Sequence, residues 1–487
     1  MERRHFLRNL GFSGMLAAIP SVLTRASAQK NKDAIVTGKV HSKGKGIGGV
    51  AVTDGRNVVL TDKNGNYELP ANEAAEFVYI SVPSGYAFPA NNGIASFYKP
   101  LQEGGKYDFS LDKLPGSDKK HCFVVWADTQ MISKKDAEQL KTESAPDLKA
   151  LVQSYSPGTL FHGIGCGDLV WDKFDLFADY KEAIAMTGVP FFNVIGNHDM
   201  DLDSRTDDYS AKTFKQQFGP TYYSFNRGDI HYVVLDDVFF VGTAKKYIGY
   251  ITENQLSWLE KDLAHVKPGS TVVVSLHIPT NTGAARRNKK DEELGGTVSN
   301  RRQLYKILAP YKVHIMSGHT HFNECWEDNN IMEHNHGTVC GAWWTGPVCG
   351  DGTPNGYGVY EVDGSELKWY YKSTGKPKEH QLRIYAPGRS VENPGEMVVN
   401  VWNWDPKWKV EWWEDGQFKG VMEQRTGLDP WATELYRGPQ LPAKHKFVEP
   451  TLADHLFYAR PTAGVKKIMV RATDRFGSVF VEEISMT

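Results

Sequence analysis

The sequence predicts an α/β domain carried between two all-β domains. Three observations predict it. Residues 119–350 alternate apolar strands with amphipathic helices, residues 33–115 and 356–487 read as strands, and five central strands end abruptly in Asp, Asn, Gln or His. A length of 487 residues suits about three domains. With 40% hydrophobic and 23% charged residues, the chain can build packed cores and is not disordered. Its 56 Lys and Arg nearly balance 58 Asp and Glu, so no nucleic-acid partner is expected from bulk charge. Five cysteines exclude a disulfide scaffold. Beyond the N-terminus no apolar run reaches the length of a membrane span.

Residues 1–28 read as an address. Arg3-Arg4-His5-Phe6-Leu7-Arg8 precedes an apolar stretch over 10–23, and Ala26-Ser27-Ala28 supplies a small-residue cleavage site. The segment resembles a twin-arginine export signal, with Glu2 where Ser or Thr is usual. The expected location is therefore the periplasm or cell envelope. Cysteines can pair there. Cys340 and Cys349 are near enough in sequence to do so, or they remain buried thiols; five being odd, at least one thiol stays unpaired in a monomer.

In the N-terminal region, strands are expected at 35–40, 49–53 and 77–82, with a hairpin over 61–69 turning at Asn64-Gly65. The pattern is similar to small carboxypeptidase-regulatory-like β-sandwiches, and no chemistry is assigned to it. Asp54 and Asp62 read as turn carboxylates, with a calcium pair as the other option. In the central region, Leu256, Leu259, Leu263 and Val266 place one apolar face on a helix over 253–266. The C-terminal region shows strands at 398–402 and 467–472 and no obvious helix. It holds seven of the 13 tryptophans, which suits a second sandwich core more than exposed carbohydrate sites.

The chemistry lies where the central strands end. Phe123-Val124-Val125-Trp126-Ala127 leads to Asp128-Thr129-Gln130, and a second strand ends at Gly167-Asp168. A third ends at Gly196-Asn197-His198-Asp199, a fourth at His277, and a fifth at Gly318-His319-Thr320-His321. In open α/β sheets ligands bind beyond the carboxyl ends of strands. One such residue means little, but five in succession are hard to produce as structural caps. Imidazoles with carboxylates suit Zn, Fe or Mn, and a shared Asp can bridge two cations that clamp a phosphoryl group. Gly167, Gly196 and Gly318 are expected to let the backbone turn sharply there.

Asp128-x-Gln130, Gly167-Asp168-x-x-x-Asp172, Gly196-Asn197-His198-Asp199, His277 and Gly318-His319-x-His321 resemble, in that order, the calcineurin-like metallophosphoesterase superfamily. The segment 218–225 and the strand 230–235 are similar to its bacterial members, and the flanking domains to those of an exported subgroup. The resemblance implies a two-sheet β-sandwich core flanked by helices. It implies two divalent or trivalent metal ions (Mn, Fe or Zn). Asp128, Gln130, Asp168 and His321 would surround one. Asp168, Asn197, His277 and His319 would surround the other, with Asp168 bridging. His198 would face the leaving-group oxygen as general acid or charge stabiliser. The commonest family motif has His where this chain has Gln130, whose amide is a harder and weaker ligand. Asp172 either orients His198 or accepts a local hydrogen bond.

Four further residues are candidates for substrate binding. Trp343 and Trp344 follow the last motif and could stack on a sugar or base, or pack in the core. Arg286 and Arg287, in a basic run with Lys289 and Lys290, could attract an anion or lie in solvent. His334 and His336 are remoter candidates as extra ligands. The expected activity is hydrolysis of an organic phosphate ester by a hydroxide held between the metals, with a diester slightly favoured over a monoester. Partners would be a small-molecule, lipid or glycan phosphate ester. The alternative is a weak or inactive member that binds a phosphorylated glycan or lipid, a reading favoured by Gln130 alone.

Overall fold

The computed structural model describes residues 35–486 apart from 71, 103–104 and 243–244. The proposed signal segment lies outside the described residues. The centre is a sandwich of two sheets. One has, in spatial order, Glu366–Ser373, Gly356–Asp363, Lys120–Trp126, Leu160–Cys166, Phe191–Val194, Ile94–Ala95 and Ala90–Asn91. The other runs Tyr223–Arg227, Ile230–Val234, Thr271–Ser275, Lys312–Ser317, Ile331–Asn335, Glu324–Asp328. In the first, the Lys120, Leu160 and Phe191 strands are parallel; in the second, the Ile230, Thr271 and Lys312 strands are.

Strand periodicity builds the layers. Phe123 and Val125 point between the sheets and meet Ile164, Phe192, Phe225, Tyr232 and Tyr360. The rings interleave, with Phe123 stacked on Tyr360 at 4.6 Å and Phe225 on Tyr232 at 4.8 Å. Val124 and Trp126 point the other way, against Leu140, Leu148, Phe177 and Tyr180 of the covering helices. The helix Glu253–Leu263 covers the second sheet through buried Leu256, Leu259 and Leu263, with Val266 packed just beyond its end.

The borders of this centre differ from the sequence reading. Strands Gly356–Asp363 and Glu366–Ser373, assigned from sequence to the C-terminal region, complete the first sheet; Gly356–Asp363 pairs antiparallel with Lys120–Trp126. At the other edge, Ile94–Ala95 of the N-terminal region pairs with Phe191–Val194. Strand propensity is local, whereas the choice of partner depends on which edge is open. The expected 61–69 hairpin is a turn between two sheets. Asp62 accepts the backbone N–H groups of Asn64 and Asn66, but Val58–Leu60 pairs with Ala51–Thr53 and Asn66–Pro70 with Ile35–Ser42. Asp54 likewise accepts the N–H groups of Arg56 and Asn57, so both carboxylates serve turns.

The C-terminal region packs two antiparallel four-stranded sheets, with Trp408 and Trp412 in the core between them and Trp402 buried beside it. It also holds a helix that the sequence reading missed, Pro430–Arg437. Asp429 caps it, accepting the N–H of Ala432, and Pro430 fills its first turn. That Asp-Pro pair was the legible signal. All five cysteines are free. Among the described residues no helix is long and apolar enough to cross a membrane.

Candidate metal centre

The parallel strands of the two sheets deliver their C-terminal ends to one edge. From the first sheet come Asp128, two residues past Trp126, Asp168, two past Cys166, and Asn197, three past Val194. From the second come His277, two past Ser275, and His319 and His321, just past Ser317. Asp168, His277 and His319 have ligand atoms close enough to share one cation.

The hydrogen bonds fix which atoms face inward. The Nδ1 of His277 lies 3.0 Å from the Cys166 carbonyl and donates to it. Its Nε2 then faces Asp168 Oδ1 at 3.3 Å, Asn197 Oδ1 at 3.1 Å and His319 Nδ1 at 3.2 Å. All four are lone-pair donors, and such a group repels itself unless a cation sits among them. Burial opposes charge on His277, yet the Asp168 carboxylate outweighs it and brings the ring to about 10. Burial together with His277 brings His319 down to about 4. A proton on His277 is thus the smallest cation that eases the cluster. Beside it, His321 donates Nδ1 to the Gly341 carbonyl and turns Nε2 to within 3.4 Å of Asp128 Oδ1. Gln130 donates its amide to Asp168 Oδ2 at 3.1 Å, while its Oε1 is buried without a partner among the described residues. A buried amide oxygen in that position suits a hard cation. The residues present therefore fit a metal ion at Asp168, His277 and His319, with Asp128, Gln130 and His321 grouped beside it.

The backbone is strained at these positions. Asp128, Gln130, Asp168, Asp172, His319 and His321 all have φ between +37° and +67°. Left-handed conformations cost non-glycine residues roughly 1–3 kcal/mol each and persist where the surroundings over-determine them. Gly167 does turn the chain at φ +83°. Gly196 and Gly318 act differently, since neither is left-handed. A Cβ on Gly196 would collide with the Asp168 carboxylate, and one on Gly318 with that of Asp128.

His198 sits beside this cluster. Its N–H donates to Asp168 Oδ1 at 2.9 Å, and its Nδ1 meets Asp172 Oδ1 at 2.9 Å. Lys245 holds the other Asp172 oxygen at 2.6 Å. Burial lowers the affinity of His198 for a proton, but Asp168 and Asp172 outweigh it and raise its pKa above the ordinary value.

Two buried acids were given no role from sequence. Asp199 accepts N–H groups from Gly196, Leu169 and Val170, tying two ligand loops together; burial, then Asp168, raises it to about 7. Asp237 accepts the N–H groups of His277 and Ile278. Its signal was present, because Asp236-Asp237 follows the apolar strand Ile230–Val234 and Leu235 as the other site residues follow theirs.

Several expectations need correction. Trp344 is buried in the core and donates Nε1 to the Thr129 carbonyl at 2.8 Å, so it supports the Asp128 loop and offers no face to a substrate. Arg287 is buried in ion pairs with Glu324 and Asp454, and Arg286 pairs with Asp454 too. The buried charge of Arg287 is committed to structure, while Arg286 stays exposed at the surface. Lys290, from the same run, lines a cavity of about 310 Å³ beside His319. His336 bonds the Ser317 carbonyl and the Tyr360 hydroxyl, and His334 bonds His314, so neither joins the centre. Trp343 does lie at the site, stacked on His321 at 4.3 Å.

Three family models match in sequence order. The N terminal of Calcineurin-like phosphoesterase covers residues 34–114, Calcineurin-like phosphoesterase covers 123–323, and the C terminal of Calcineurin-like phosphoesterase covers 333–480. Purple acid phosphatase 15 of Arabidopsis thaliana is 27% identical over 267 residues, which are 52% of this chain and 43% of that protein. The chain thus spans less than half the length of that relative. Among solved structures, purple acid phosphatase PPD1 from yellow lupin seeds has 14% identity and a TM-score of 0.37, with 54% of this chain and 52% of that one covered. GAP50 of the Plasmodium inner membrane complex has 14% identity and a TM-score of 0.36, covering 53% of this chain and 85% of that one.

Proposed function

The chain belongs to the calcineurin-like phosphoesterase family, and on that premise we propose that it is an exported hydrolase of organic phosphate esters, acting at a two-metal centre in the periplasm or cell envelope. The observation that carries the reading is the set of inward-facing lone pairs on Asp168, Asn197, His277 and His319, with Asp128, Gln130 and His321 beside them. The twin-arginine-like segment at residues 1–28 supports export.

When bound, two divalent or trivalent cations (Mn, Fe or Zn) supply Lewis-acid charge and an activated water for in-line displacement at phosphorus. Asp128, Gln130, Asp168 and His321 would hold the first; Asp168, Asn197, His277 and His319 would hold the second. The protein's own groups do the rest. Nδ1 of His198 is engaged by Asp172, so Nε2 is the atom that carries a proton to the leaving oxygen. Lys245 neutralises Asp172 and holds it in place. Asp199 and Asp237 keep the ligand loops in register through their backbone bonds.

The commitment of buried Arg287 to Glu324 and Asp454 favours a diester over a monoester. A monoester dianion is best served by fixed cations beyond the metals, whereas a diester carries one charge less. The test is the ratio of kcat/KM for matched aryl diester and aryl monoester substrates. The diester should be preferred. A strong preference for the monoester would overturn the lean, and no hydrolysis of either by metal-loaded protein would bring back the binding-only reading.

Gln130 gives a second test. Gln130→His should tighten the first site and shift its preference toward zinc, because imidazole is the softer ligand. Competition between manganese and zinc, read by metal analysis, checks this. Unchanged selectivity would place Gln130 outside the coordination sphere, as a hydrogen-bond partner of Asp168 only.

A further inference from the structure

We propose that the C-terminal region supplies one wall of the substrate site, and that Trp171, Trp343, His445 and Phe447 form an aromatic wall against which a planar ring on the leaving alcohol rests. The inference rests on the phosphoesterase reading and names the class of ester within it.

The rings come from three separate segments and meet beside the proposed acid and ligands. Trp171 belongs to the loop that carries Asp168, and its ring lies 5.3 Å from that of His198. Trp343 lies on His321 at an interplanar angle of 25°. Beyond the helix Pro430–Arg437 the chain returns to this edge. His445 comes within 5.2 Å of Trp171, and Phe447 within 5.9 Å of Trp171 and 5.4 Å of Trp343. The returning segment is anchored. Lys444 pairs with the buried Asp136 carboxylate, and Val448 is buried with Ala342, Val348 and Tyr436.

Features of this wall are poor for folding and good for binding. Phe447 is 56% exposed, although a phenyl ring gains stability from burial. His445 Nε2 is buried without a partner among the described residues. Trp343 and His445 both sit at left-handed φ, +52° and +50°. A ring placed in the cleft would cover Phe447, and a polar atom at its edge would satisfy His445. Direction follows from His198. The leaving oxygen must lie at His198, so the group attached to it extends along Trp171. Charge selects against a second phosphate there, because Lys444 is balanced by Asp136 and Lys245 by Asp172. Aromatic faces therefore dominate the recognition, and the occupant is a flat π-system, aryl or nucleobase-like.

The test is titration calorimetry of the purified full-length protein with methyl-, cyclohexyl- and phenylphosphonate, which share one charged head. Phenylphosphonate should bind about tenfold or more tightly than the other two. Phe447→Ala and His445→Ala should each remove most of that preference and leave methylphosphonate binding within about twofold of wild type. Phe447 is exposed, so its variant should keep the wild-type circular dichroism and metal content. Equal affinities in the wild type, equal binding of the cyclohexyl and phenyl forms, or a preference that survives both substitutions would overturn the aromatic wall. So would no binding of any of the three. The phosphoesterase reading is judged separately, by metal content and by hydrolysis of a ring-less alkyl ester. It can therefore stand while the aromatic wall falls.

Discussion

His198→Ala should keep its fold and its metal but lose turnover by about 10²–10⁴-fold, the range for removing a positioned general acid. The side chain is partly buried and bonded through Nδ1 to Asp172, and its backbone N–H, which the substitution keeps, is the part that serves Asp168. The deficit should depend on the leaving group. A nitrophenolate departs with little protonation, so its ester should suffer least, whereas an alkyl ester should suffer most. Asp172→Asn should show the same trend with a smaller loss, since the imidazole remains but its orientation weakens. The measurement is a plot of log kcat against leaving-group pKa for the three proteins. Parallel lines for wild type and His198→Ala would remove the acid role and leave His198 as a charge stabiliser.

Asp168→Asn should lose most of its metal, with affinity down by at least about 100-fold, the upper range for losing a mere supporting partner. Asp168 is buried, facing His277 through Oδ1 and Gln130 through Oδ2. A neutral amide cannot bridge two cations well, and its N–H₂ would confront donors that now share a carboxylate. Activity should fall with the metal. Elemental analysis of chelator-free protein, beside circular dichroism as a folding control, reads this directly. Retention of two equivalents by the variant would sink the bridging assignment, and wild-type protein without metal under saturating metal would sink the two-metal reading.

Both predictions rest on residues that stand out in the amino-acid sequence itself. A candidate metal site stands out there because metal-binding side chains are of few types and because parallel strands place them just past apolar runs, as at Asp128, Asp168, Asn197, His277 and His319. Helix 253–263 is legible for the same local reason, an apolar face at helical spacing. The turn at Asn64-Gly65 is also legible as a turn.

What tertiary structure alone decided lies between residues far apart in the chain. Local pattern could not tell that Gly356–Asp363 would pair with Lys120–Trp126, because a strand's period does not encode its partner. Trp343 and Trp344 are neighbours of identical type. Only the packing sends Trp344 inward to the Thr129 carbonyl and leaves Trp343 on His321. Arg287 has the sequence setting of a surface cation, yet Glu324 and Asp454 close around it in the fold. The placement of His445 and Phe447 beside Trp171 is the least visible, since the segment is held by Lys444 on Asp136, 308 residues away, and by Val448 packed on Ala342 and Val348. Periodicity, turn chemistry and ligand type are properties of neighbours in sequence and are written there. Burial, ion pairing and cleft walls come from contacts that chain entropy opposes and that form only when the whole fold closes, so they are decided by the structure.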